Sequence, residues 1–148
     1  MPTKPIVLFL CTGNSCRSQM AEGFLRHTAG DRFEVYSAGS EPKEEVHPLA
    51  IHVMAESGID ISDHRPKHVG DYLGRLPVRH LIVVCGGANE NCPRIFPGMQ
   101  TRTFWNLDDP AAFVGSDEDT LDEFRRIRDE IETRIKLWVR DTVLVERS

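Results

Sequence analysis

The chain has 148 residues, 40% of them hydrophobic and 28% charged, which suits one domain with its own hydrophobic core, residues 1–148. A formal charge of −5 excludes a general nucleic-acid binder or a protein held to an anionic membrane by charge alone. No apolar run reaches the ~20 residues that span a bilayer, and the run over residues 6–11 is too short for a signal segment, so the expected compartment is the cytoplasm.

Residues 5–10, Pro-Ile-Val-Leu-Phe-Leu, are continuously apolar, as in a strand buried on both faces of a parallel sheet. A helical pattern opens at Ser18, with Met20, Ala21, Phe24 and Leu25 on one face and Gly30 as its terminator. Residues 32–37 alternate polar and apolar and predict a second strand. A second helix fits 47–57, with Leu49, Ala50, Val53 and Met54 inward and Gly58 as its stop. A short helix is expected over 67–74, and a third buried strand over 80–84, ending at Cys85. Residues 86–100 are rich in Gly, Asn and Pro and read as a loop. A fourth strand follows over 102–105, before Asp108-Asp109-Pro110.

The last helix has the clearest pattern: Leu121, Phe124, Ile127, Ile131, Ile135 and Trp138 repeat at three- and four-residue spacing within 117–140. Ser116 can cap it, and Asp117, Glu118 and Asp119 suit the positive end of its dipole. Strands alternating with helices predict an α/β fold, a four-stranded parallel sheet flanked by helices on both faces. Ligands of such sheets sit beyond the carboxyl ends of the strands, where Cys11, Cys85 and Asp109 all fall.

The segment joining the first strand to the first helix is Cys11-Thr12-Gly13-Asn14-Ser15-Cys16-Arg17-Ser18. Backbone N–H groups of residues 12–17 can cradle a tetrahedral oxyanion at a helix N-terminus. Gly13 lets the chain curl, and Asn14 tolerates left-handed backbone angles. Arg17 adds a planar fork able to hold two oxygens at once. The same positive field lowers the Cys11 thiol from its free value near ~8.5, and Ser18 can donate a hydrogen bond to the thiolate, leaving an anionic nucleophile under the atom it attacks. Thr12, Gly13, Asn14, Ser15, Cys16 and Arg17 are thus the substrate-binding residues expected here. Attack on a tetrahedral centre expels an oxygen that an acid must protonate. Asp108 and Asp109, ahead of the stiffening Pro110, are both placed for that role, and the family resemblance below implies Asp109.

At these residues the chain resembles a known family. Cys11 to Gly23 (CTGNSCRSQMAEG), Tyr36-Ser-Ala-Gly39, Gly58-Ile-Asp-Ile-Ser62, Asn91-Cys92-Pro93, Asp108-Asp109-Pro110 and Phe124 to Glu130 are similar to the low-molecular-weight tyrosine phosphatase superfamily. They are closer still to its thioredoxin-coupled arsenate reductases. The resemblance implies that Cys11 attacks arsenate and that Cys85 then attacks the sulfur of Cys11 as arsenite leaves. Cys92 next attacks Cys85, and thioredoxin reduces the resulting disulfide; phosphate or sulfate can compete. It implies no bound cofactor and a monomer. Cys16 matches a position with no necessary role.

Two departures are informative. Phosphatases of this superfamily place aromatic residues after Asp-Pro, whereas Ala111 and Ala112 stand there, favouring a small inorganic oxyanion. Some arsenate reductases of this type bind potassium through Asn, Glu, Ser and Asp. Asn14, Glu22 and Ser37 match three of these, but the fourth position falls near Lys67, so no potassium requirement is expected. No cluster among His47, His64, His68 and His80 has metal-ligand spacing, and the four cysteines contain no Cys-x-x-Cys pair, so no metal site is expected. The competing readings are a phosphatase acting on aryl phosphates and a non-enzymatic thiol sensor. The sensor lacks a basic face and leaves Arg17 without a purpose.

Overall fold

A computed structural model describes residues 4–72, 74–84 and 99–147. Four strands, β1 (Ile6–Cys11), β2 (Glu34–Gly39), β3 (Val78–Val83) and β4 (Thr101–Phe104), form an all-parallel sheet in the order β2-β1-β3-β4. β1 is central and buried along its whole length, as its unbroken apolar run requires. Three α-helices accompany the sheet: α1 (Arg17–Ala29), α2 (Pro48–Glu56) and α3 (Asp117–Arg147).

The face of the sheet that carries Val35, Ser37, Phe9 and His80 meets α1 and α3. Ser37 bonds Glu22 of α1 there, and Trp138 of α3 packs on Phe33 and His80. The opposite face carries Tyr36, which packs on Tyr72 beside a one-turn 3₁₀ helix, Val69–Asp71. That turn replaces the longer helix expected over 67–74; His68 caps it by accepting from Gly70 N–H.

α2 ends as Gly58 foretells. With φ at +78°, Gly58 sends its N–H to Ala55 while the N–H of Ile59 reaches Met54, the paired closure of a Schellman motif. Gly23 of α1 packs against this region, where a Cβ would stand 2.9 Å from Ile61 Cγ2 and 3.0 Å from Met54 Cε, so that a neighbour would have to shift.

Several boundaries differ from the sequence reading, β3 among them, which starts two residues early at Val78. β2 starts at Glu34, two residues late, because Arg32 and Phe33 still bond the Ala29 carbonyl and belong to the turn; Phe33 is buried all the same and imitates a strand position. β4 starts one residue early, at Thr101. α3 continues to Arg147, with Val139 packed on the core beyond Trp138 and Thr142 half-buried one turn further on. Ser116 caps α3 as expected, its hydroxyl accepting from Asp119 N–H at 3.1 Å. Among the described residues, no helix is long and apolar enough to cross a membrane.

Candidate oxyanion site

The turn after β1 is shaped by its neighbour across the sheet. Cys11 stands in register with Gly39, and beyond them the chain leaving β2 runs alongside the loop. The N–H groups of Ser40, Glu41, Lys43 and His47 donate to the carbonyls of Cys11, Thr12, Gly13 and Ser15, at 2.9–3.2 Å. These carbonyls are committed to the scaffold, leaving the donor side of the loop to serve an anion. Gly39 is required at the seam: a Cβ there would stand 2.5 Å from the Thr12 carbonyl oxygen. Asn14 adopts φ +49°, the left-handed conformation its short polar side chain permits.

Around Cys11 the donors converge. Its sulfur lies 2.8 Å from Ser18 Oγ and 3.1 Å from the Asn14 N–H. Asn14 Nδ2 donates to Ser18 Oγ at 2.7 Å and to Ser37 Oγ at 3.0 Å. Ser37 in turn donates to the buried carboxylate of Glu22 at 2.5 Å. Glu22 also meets Arg26 at 2.8 Å and the Lys67 ammonium at 3.5 Å. Lys67 Nζ therefore occupies the space beside Glu22 and Ser37 Oγ, 3.4 Å from the hydroxyl.

Arg17, at the start of α1, is buried beneath the loop. One of its nitrogens donates to the Leu107 carbonyl at 3.1 Å, and another lies 3.7 Å from Asp109 Oδ2. Asp109 caps the one-turn helix Pro110–Ala112 through its other oxygen, which accepts from Ala111 N–H at 3.0 Å. Its neighbour Asp108 turns outward to Arg126 of α3, 3.1 Å away. Of the two acids, Asp109 faces the site.

These groups line a cavity of about 390 Å³ formed by residues 11–17 with Glu41, Lys43, Asp109 and Ala111. Every residue assigned to oxyanion binding is in that wall, and Cys11 and Asp109 face it together. Ser18 stands behind Cys11. Cys16 is buried, and burial pushes its thiol up to about 12 despite a contact with Ser15 Oγ, so it stays protonated at neutral pH. Cys85 and Cys92 lie outside the described residues. Glu41 and Lys43 are the lining residues that motif reading misses; their signal is position, since they follow the carboxyl end of β2 on the same edge as Cys11. Among the described residues, no group of three or more His, Cys, Asp or Glu could hold a metal ion.

A family model for low molecular weight phosphotyrosine protein phosphatase matches residues 6–147. The chain belongs to that family. Within it, the chain is 46% identical over 136 residues to a protein of Shouchella clausii named arsenate reductase, covering 90% of this chain and 94% of that one. The corresponding protein of Bacillus subtilis strain 168 is 43% identical over 132 residues, covering 88% and 92% of the two chains. Among solved structures, an arsenate reductase in a phosphate-binding state is 33% identical and superposes with a TM-score of 0.78 over 93% of this chain and 98% of that one. The four-stranded parallel sheet with its accompanying helices, described above, is the fold shared with these structures.

Proposed function

We propose that this family member reduces arsenate to arsenite through three of its cysteines, with thioredoxin restoring the thiols. One observation carries the proposal: Cys11 sulfur sits under donors from Ser18 and Asn14, in a cavity that also holds Arg17 and Asp109. The names of its relatives support arsenate as the oxyanion. The wall after Asp109 supports it too, since Ala111 offers a methyl group where an aryl substrate would need a ring platform.

Cys11 thiolate attacks arsenic, a sulfur–arsenic bond forms, and the departing oxygen leaves with a proton from Asp109. Arg17 and the loop N–H groups hold the charge of the remaining oxygens. Cys85 then attacks Cys11 sulfur; the electron pair of the sulfur–arsenic bond passes to arsenic, which leaves as As(III). Cys92 attacks Cys85 and frees Cys11, so two thiols have given two electrons and a Cys85–Cys92 disulfide remains. Thioredoxin reduces it by thiol–disulfide exchange. No bound cofactor or potassium ion is required, and the protein acts as a cytoplasmic monomer.

The test follows arsenate-dependent NADPH oxidation with thioredoxin and thioredoxin reductase. Turnover should be lost in Cys11→Ser, Cys85→Ser and Cys92→Ser. Full turnover in Cys92→Ser would remove the third thiol from the scheme. The family description favours one second reading, hydrolysis of aryl phosphates through the same Cys11. Weak hydrolysis that survives Cys85→Ser but not Cys11→Ser is expected, because arsenate and phosphate are nearly isosteric. Hydrolysis far outpacing reduction would reverse the assignment.

A further inference from the structure

We propose that Lys43 is the positioning residue that captures the oxyanion at the mouth of the cavity, setting the KM for arsenate without entering the bond-making steps. The proposal rests on the reading of the chain as an oxyanion-acting enzyme.

The charges at the site are unevenly placed. Arg17 lies at the floor, with one nitrogen given to Leu107 and another near Asp109, so part of its field is already answered. Among the described residues, the rim carries two carboxylates, Glu41 and the half-exposed Asp109, and one ammonium, Lys43. Among the described residues, neither Glu41 nor Lys43 makes a side-chain hydrogen bond or ion pair. An arsenate dianion approaching a chain of net charge −5 is therefore repelled unless a local cation acts within the ~8 Å screening distance of physiological salt.

Lys43 is built to be that cation. Its N–H is tied to the Gly13 carbonyl at 3.0 Å, which fixes its backbone to the anion loop. Its stem lies across Gly13, with Cγ and Cε 3.3 and 3.2 Å from where a Cβ of residue 13 would stand. The missing side chain at Gly13 thus makes the bed for the stem, and the exposed ammonium is left to move over the mouth. A compact, strongly hydrated, flexible charge suits a contact that is made on entry and broken as the ion settles. Glu41, tied by its own N–H to Thr12 at 2.9 Å, stands on the same rim with the opposite sign.

The test is steady-state kinetics with arsenate varied, on wild type, Lys43→Met, Lys43→Arg and Glu41→Gln, at low and high salt. Lys43→Met should raise KM about tenfold at low salt, with kcat within about twofold. Lys43→Arg should restore KM, and Glu41→Gln should lower it. At ~1 M salt, where screening acts over ~3 Å, the Lys43→Met defect should shrink to less than about threefold. A second readout is independent of turnover: the concentration of inorganic phosphate that half-protects Cys11 from iodoacetamide should rise in Lys43→Met. A wild type that shows this protection, weakened in Lys43→Met, but has no arsenate turnover would sink the reductase reading and keep the Lys43 assignment. Unchanged KM and protection in Lys43→Met, or a fall in kcat at constant KM, would overturn it. So would a rise in KM in Glu41→Gln.

Discussion

The backbone N–H of Lys67 donates to Asn14 Oδ1 at 2.8 Å, and this bond decides which way the hydrogen bonds around Cys11 run. A peptide N–H can only donate, so the Asn14 oxygen faces Lys67 and its Nδ2 faces Ser18 and Ser37. Ser18, already accepting, has its own proton free for Cys11 sulfur.

Replacing Asn14 by Asp keeps the shape and removes the donors. Ser18 would then turn its proton toward the new carboxylate, and Cys11 would lose its hydroxyl donor. Hydrogen bonds to charged groups are worth roughly 1.5–3 kcal/mol, so kcat/KM should fall about 10- to 100-fold. Iodoacetamide alkylation of Cys11 should shift to higher pH. An alkylation profile that overlays wild type would break the chain of inference from Lys67 to the thiolate.

Cys16 gives a prediction of alkaline stability. In the unfolded chain its thiol ionises near 9.0, and in the folded protein burial pushes this to about 12. Between these values the unfolded chain loses a proton that the folded one keeps, so stability falls as pH rises. Urea melts at pH 8 and pH 10 should show a smaller loss in Cys16→Ala than in wild type. Equal losses would mean that the buried thiol is not what titrates.

His47 acts at the acid end. Its Nδ1 caps α2 by accepting from Leu49 N–H at 3.1 Å, and its ring packs on Phe124 with centroids 4.8 Å apart. Burial holds its pKa below the ordinary 6.5, so the folded state favours the neutral ring and loses stability as pH falls through that value. His47→Asn preserves a capping oxygen and deletes both the titration and the ring contact. It should cost about 1 kcal/mol at pH 7.5, yet lose less stability than wild type between pH 7 and pH 5. A steeper acid loss in the variant would contradict the assignment.

Lys67 bears on the potassium question. With its ammonium beside Glu22 and Ser37, wild type should respond equally to KCl and NaCl in thermal melts and turnover. Lys67→Met leaves those oxygens without that cation and should be less stable by roughly 1–2 kcal/mol. Potassium should restore more of this loss than sodium does. A potassium-specific rise in wild-type activity would show that Lys67 does not take the place of an ion.

Much of this architecture is legible in the amino-acid sequence. The unbroken apolar run of β1 and the shorter one from Leu81 onward in β3 call for burial, and the stripe from Leu121 to Trp138 marks α3 because its period holds over many turns. That residues 11–17 line one cavity was readable because a single continuous segment supplies them all. Asp109 is favoured over Asp108 by the family resemblance alone; the physical reason, that Arg126 far along the chain draws Asp108 away, was not readable. Nor were Glu41 and Lys43, whose place at the cavity follows from Gly39 letting two backbones approach closely, a tertiary fact with no local periodicity. Phe33 misled the reading of β2, because a buried turn residue imitates strand alternation.

The bonds from residues 40–47 to the carbonyls of the anion loop also bear on the speed of the chemistry. Solvent dipoles must turn to meet a charge as it forms, and that turning is much of the barrier to charge movement in water. Here the loop's peptide dipoles are oriented when the sheet assembles, each locked at its acceptor end. In the proposed mechanism, an incoming oxyanion, and the charge that shifts on it during attack, meets a field already in place, so the reorganisation energy of the step is small.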